Sequence, residues 1–73
     1  MPTGVDTLLL VVPTDAGWEV VDAFLHRPPT VHADKADAVA RACDDAYACW
    51  GRVVVCDEQY GIESEFAWEP PDG

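Results

Sequence analysis

Five apolar residues in a row, Leu8 to Val12, follow Thr7 without a polar break. A run this short, ending in β-branched residues, reads as a strand buried on both faces. Pro13-Thr14-Asp15-Ala16-Gly17 has the composition of a turn. Trp18 to Leu25 then reads as a second strand. Trp18, Val20 and Phe24 fall on one face, with Asp22 interrupting them, and Val21, Ala23 and Leu25 fall on the other with Glu19. Residues 7–25 therefore predict a β-hairpin. His26-Arg27-Pro28-Pro29-Thr30-Val31 breaks the pattern. Two consecutive prolines fix φ and remove two donors, so this stretch predicts a stiff connector.

The helical period appears next. Ala36, Val39, Ala40, Cys43, Ala46, Tyr47 and Trp50 share one stripe at 100° per residue, and Asp37, Arg41, Asp44, Asp45 and Ala48 fall opposite. The helix is expected over 34–50, with Asp34 as N-cap, Asp37 in the capping-box position and Gly51 just past the end. Asp37–Arg41 and Arg41–Asp45 are i,i+4 ion pairs. Residues 52–69 predict a second hairpin. Arg52-Val53-Val54-Val55-Cys56-Asp57 is apolar on both faces, and Asp57 to Gly61 forms the loop. From Ile62 to Glu69, Ile62, Ser64, Phe66 and Trp68 alternate with Glu63, Glu65, Ala67 and Glu69. Residues 70–73 are a tail. The expected architecture is α+β: a two-layer ββαββ domain with a four-stranded, mainly antiparallel sheet and one helix on one face.

That architecture sharpens the question of surface. One helix covers one face of a sheet, yet the runs Leu8–Val12 and Val53–Cys56 are apolar on both. The second face would be a large exposed apolar patch unless another protein or a second copy packs on it. An isologous two-fold dimer through this open face is the simplest expectation.

Composition changes the picture in one respect. The 73 residues are 49% hydrophobic, which suits a folded single domain, but they carry 14 acids against 4 bases, a net charge of −10. Such a chain is not expected to bind nucleic acid or an anionic membrane directly, since both need Lys and Arg to displace counterions. The charge is uneven: residues 1–52 hold 8 acids and all 4 bases, while residues 53–73 hold 6 acids and no base. Asp57, Glu58, Glu63, Glu65, Glu69 and Asp72 are thus the candidate partner-binding acids, with Trp68 as an aromatic anchor and Asp44 and Asp45 added from the helix. On a regular strand Glu63 and Glu65 share a face about 6.7 Å apart, close to twice the roughly 3.4 Å spacing of phosphates along one DNA strand.

Candidate chemistry is sparse. Cys43, Cys49 and Cys56 lack the Cys-x2-Cys spacing of zinc sites, and Cys43 and Cys56 read as small core residues, with Cys49 exposed. His26 and His32 flank the prolines as loop residues. Ser64 is the lone serine and has no Gly-x-Ser-x-Gly context. No cofactor is expected. Met1 to Asp6 shows neither a basic nor an apolar leader region and no run is long enough to span a bilayer, so the chain reads as cytoplasmic with reduced thiols.

Several short motifs carry a family resemblance. Val11-Val12-Pro13, Gly17-Trp18-Glu19-Val20, the helix start Asp34-Lys35-Ala36-Asp37-Ala38-Val39-Ala40-Arg41-Ala42, the Gly-ended hairpin and Pro70-Pro71 together resemble a small bacterial and archaeal family known only as domain of unknown function 2188. The likeness spans residues 8–71. It implies a ββαββ fold and assigns no activity, cofactor or functional residue. The chain departs from that family in having Asp34 where Thr is usual, a hairpin longer than Asp-Gly, and greater acidity.

Function is expected to be non-enzymatic: a small acidic protein-binding module, in its sharpest form an inhibitor of a basic, nucleic-acid-binding protein by nucleic-acid mimicry. In size and charge it is similar to the acidic inhibitors of phages and mobile elements, including some anti-CRISPR proteins. The alternative is a homodimeric housekeeping or stress protein whose acidity serves solubility or salt adaptation. A thiol or metal-dependent enzyme ranks third.

Overall fold

β1 (Leu8–Thr14) lies at the centre of a five-stranded sheet. β2 (Gly17–Asp22) flanks it on one side and β4 (Arg52–Cys56) on the other. β3 (Thr30–His32) and β5 (Ile62–Ala67) form the two edges. The computed structural model describes residues 7–25 and 27–68. The fold is α+β with a single helix, α1 (Lys35–Ala48), among the described residues. The sheet has five strands rather than the four expected, and it is mixed. β1–β2, β2–β3 and β4–β5 are antiparallel, while β1–β4 is parallel. β3 therefore runs in the same direction as β4, and parallel strands need a crossover, which α1 supplies.

The first hairpin turns more tightly than its composition suggested. Pro13 and Thr14 remain in β1, and only Asp15 and Ala16 separate the paired Thr14 and Gly17. Gly17 has φ +135°, and a Cβ there would collide with the His32 carbonyl oxygen, so this position requires glycine. β2 stops at Asp22 instead of running to Leu25. Asp22 Oδ1 accepts the Phe24 N–H at 2.8 Å and its carbonyl accepts the Leu25 N–H, and these bonds turn the chain. The stiff Pro28-Pro29 segment then delivers Thr30–His32 to the edge of β2, a strand the prolines had concealed. Prolines fit there because they precede an edge strand and interrupt no ladder.

α1 lies on the sheet through Ala38, Ala42 and Ala46, each fully buried. The expected stripe was centred elsewhere. Ala36, Ala40 and Tyr47 are exposed, Cys43 and Trp50 are partly exposed, and Val39 packs at the margin of the core. The helix is rotated by about 100°, one residue, from the face that hydrophobicity selects. Volume explains the choice. Leu9, Val11, Val20, Val53 and Val55 rise from the sheet and fill the interlayer space, so the opposing helix positions must be small.

The helix ends also differ from expectation. Asp34 occupies the N-cap position with extended φ and ψ, but its side chain makes no capping hydrogen bond. At the other end, the Gly51 N–H bonds the Ala46 carbonyl at 2.7 Å and the Trp50 N–H bonds the Tyr47 carbonyl, the pairing of a Schellman motif. Its left-handed residue is Trp50, φ +58°, not Gly51. Gly51 is needed for a different reason: a Cβ there would lie 2.9 Å from Thr7 Cβ.

Candidate functional site: the open sheet face and the acidic hairpin

Pleat alternation assigns the sheet residues to two faces. Leu9, Val11, Val20, Val53 and Val55 lie under the helix. Leu8, Leu10, Val12, Val21, Val54 and Cys56 lie on the other face, and each retains partial exposure. Strand registers arrange them in rows. Val21, Leu10, Val54 and Glu65 form the central row. Leu8, Arg52 and Ala67 form the row at one end. Val31, Glu19 and Val12 form the row at the other. Beyond them Cys56 pairs with Ile62, which is 64% exposed. The result is an apolar centre on β1, β2 and β4, with Glu19 and Arg52 at opposite corners and Glu65 at the margin.

The acids do not form the expected row. The register of β4 and β5 shifts between Val55 and Cys56, so Glu63 is an extra residue between the Val55–Ser64 and Cys56–Ile62 pairs. Such a bulge breaks the two-residue period. Glu63 turns to the helix side, where its carboxylate pairs with Lys35 Nζ. Glu65 pairs with Val54 and so projects from the open face. The two carboxylates lie on opposite faces, and the phosphate-like spacing is not formed.

The other candidate acids are dispersed. Asp57 Oδ1 accepts the N–H groups of Gln59 and Gly61, at 2.8 and 2.9 Å, closing the hairpin loop. Those two bonds, Gln59 first, hold its carboxyl below the usual carboxylate range, and Lys35 acts in the same direction. Glu58 is exposed in the loop and Asp44 is exposed on α1. Asp45 Oδ2 is 3.0 Å from Arg41 Nε, so of the two expected helix pairs Arg41–Asp45 is the one made. Glu69 and Asp72 lie outside the described residues, as does His26.

Trp68 belongs to an aromatic cluster at the C-terminal end of the helix. It stacks on Phe66 with centroids 6.3 Å apart and meets Tyr47 edge-on at 6.4 Å, and Tyr47 in turn lies 6.0 Å from Trp50. Phe66 is 41% and Tyr47 60% exposed, so this cluster is half core and half surface. Beside it a groove of about 470 Å³ runs between α1 and β5, lined by Ala36, Val39, Ala40, Val55, Ser64 and Phe66. The Lys35–Glu63 pair closes one end, with Lys35 Nζ also 5.1 Å from the Trp18 ring centroid. Sequence reasoning missed this groove because it exists only where the rotated helix exposes Ala36 and Ala40.

Asp22 was visible in the sequence only as an interruption. Its side chain is fully buried, with Oδ2 3.3 Å from Arg27 Nε. Together with the Phe24 bond, that contact ties the connector to the end of β2. An acid breaking an apolar alternation is the signal that could have marked the end of the strand.

The cysteines are free, with Cys49 exposed and Cys43 and Cys56 partly so. Burial first, and the neighbouring Asp44 charge second, push the Cys43 thiol above its ordinary value. Among the described residues no three His, Cys, Asp or Glu side chains converge as a metal-ligand set, and no helix is long and apolar enough to cross a membrane. Family models, curated proteins and solved structures all fail to yield a match to this chain.

Proposed function

We propose that the protein is a non-enzymatic protein-binding module that works as a two-fold dimer, its open sheet faces packed together and its acidic hairpins directed outward toward a basic protein. The observation that carries this reading is the continuous apolar centre of the open face, Leu8, Leu10, Val12, Val21, Val54 and Cys56. Charge placement supports a second copy as the occupant. Glu19 and Arg52 stand at opposite corners, so a two-fold axis along the other diagonal brings each Glu19 over the partner copy's arginine. The strands of the two sheets then cross near 90°, one of the two ways in which sheets stack. Sedimentation equilibrium up to about 500 μM tests the dimer: a mass approaching twofold supports it and a strict monomer at the highest concentration rejects it.

The outward acids give the dimer its target class. Glu58 is exposed in the hairpin loop and Glu65 at the margin of the open face, and no base lies on their hairpin beyond Arg52. A basic, nucleic-acid-binding protein is the target this charge selects, and occlusion of its binding surface is the proposed effect. Its affinity should fall steeply with salt, whereas the dimer should hardly respond. Reversing Glu58 and Glu65 to Lys should abolish target binding and leave the fold intact. Unchanged affinity would leave the dimer alone, as a homodimeric housekeeping or stress protein with adaptive acidity.

A further inference from the structure

An edge strand carries a row of unpaired backbone groups, and most proteins shorten or block it. β3, at one edge, has three residues and follows two prolines. β5, at the other, has six residues and contains neither Pro nor Lys. The Trp68 N–H donates to the Gly51 carbonyl, which sets the phase of the β4–β5 ladder. Phe66 and Ser64 follow Trp68 in turning their backbone groups toward β4, while Glu65 and Ala67 turn theirs outward. The α1–β5 groove lies on the helix side of this edge, with Phe66 in its wall. Glu65 lies on the other side.

We propose that the β5 edge takes up an extended segment of a basic protein as a sixth strand, whose residues alternate between apolar and Lys or Arg. The apolar positions face the groove beside Phe66, and the basic positions face Glu65. Backbone bonds to Glu65 and Ala67 supply affinity, and the two faces of the incoming strand supply selectivity. Charge disfavours a second copy of this chain at the edge in one register: in an antiparallel β5–β5 pair centred on Glu65, the two Glu65 carboxylates oppose each other. Glu65 therefore weighs against that self-pairing and favours a basic strand. Glu65 stands at the margin of the open face, so the proposal shares that carboxylate with the proposed dimer, but its readout, protection of the outward Glu65 and Ala67 amides, is distinct from the dimer's mass.

The test uses the full chain, labelled with nitrogen-15, and a short blocked peptide of alternating valine and lysine. The amides of Glu65 and Ala67 should shift and gain protection from exchange. The same peptide with glutamate in place of lysine should not bind. Glu65→Lys should weaken binding at least about tenfold. Ala67→Pro should remove it without harming the fold, because the Ala67 N–H faces outward and its loss breaks no internal bond. If that variant does not fold, Glu65→Lys alone decides. Shifts confined to Leu10, Val12 and Val54, equal binding of the glutamate peptide, or full affinity in Glu65→Lys would overturn the proposal. Sedimentation of the same samples reads the dimer separately.

Discussion

Leu10→Lys is the most direct challenge to the open face, because Leu10 sits mid-way along the central strand with Val21 and Val54 beside it. Five strands at about 4.8 Å and about six residues at about 3.3 Å outline roughly 24 by 20 Å, or about 480 Å² per copy. Both copies together bury about 960 Å², just under the smallest stable interfaces. A dissociation constant near 10 μM, about −7 kcal/mol, is the expected scale. Leu10 is already partly covered by its neighbours, so dimerisation gains only about 1 kcal/mol from each copy's side chain. The larger effect is electrostatic. Two ammonium groups would be desolvated near the two-fold axis, at several kcal/mol per ion before relaxation. A loss of at least about 3 kcal/mol follows, more than about a hundredfold, which moves dissociation beyond about 1 mM. The monomer should tolerate the change, since a lysine stem can lie along the sheet with its head in water. Sedimentation equilibrium from about 5 to about 500 μM spans the transition. Leu25→Lys, at a connector residue 82% exposed, is the control and should leave association unchanged. A wild-type chain that stays monomeric at the highest concentration refutes the reasoning, as does a folded Leu10→Lys that associates normally.

Four further outcomes follow from the packing. Ala42→Leu should destabilise by about 1–3 kcal/mol through overpacking, whereas Ala40→Leu, on the exposed face, should change stability by less than about 0.5 kcal/mol. Urea unfolding separates them. Gly51→Ala should cost about 1–3 kcal/mol in the same assay, because its Cβ meets Thr7 at 2.9 Å. Asp57 has a folded-state pKa below its unfolded value, so its contribution is present above that unfolded value and fades as pH falls through the folded one. Asp57→Asn should flatten this acid-side decline in the urea midpoint between pH 7 and pH 3. Alkylation followed by mass spectrometry at mildly alkaline pH should modify exposed Cys49 before Cys43, whose thiol is held protonated by burial and by Asp44.

Much of the fold was legible because apolar runs and turn residues agree locally. β4 and the second hairpin lie where period and punctuation placed them, while β1 runs on through Thr14 and α1 covers Lys35–Ala48 within the expected 34–50. The misses share a physical cause, since each depended on a partner far away in sequence. β3 is a strand only because β2 offers an edge, and three residues after two prolines carry too little pattern to announce it. The buried face of α1 was set by the bulk of Leu9, Val11 and Val53 across the interface, not by the hydrophobicity of its own residues. Trp50 takes the left-handed position while Gly51 serves close approach, because Thr7 lies against the latter. In the same way the apolar second face was visible in the sequence as two continuous runs, but the α1–β5 groove was not, since it required the helix rotation.

The acids show where counting charge stops being informative. Six acids without a base in residues 53–73 suggested a row, and a row needs a two-residue period to hold through β5. One extra residue ends that period at Glu63, and nothing in Ile62-Glu63-Ser64 marks it, because the bulge is set by the pairing with Val55 and Cys56. After it, Lys35 compensates Glu63 and the loop amides engage Asp57. Glu58 remains exposed in the loop and Glu65 at the margin of the open face. Two isolated carboxylates beside an apolar edge discriminate differently from a continuous negative stripe. A stripe attracts any dense positive surface, whereas Glu65 beside unpaired backbone and Phe66 beside the groove ask for charge and apolar bulk on alternate residues of one strand. On the proposed reading, what matters at this edge is not the total of −10 but one placed carboxylate: Glu65 opposes itself in a β5–β5 pair centred on it and favours a strand of opposite charge.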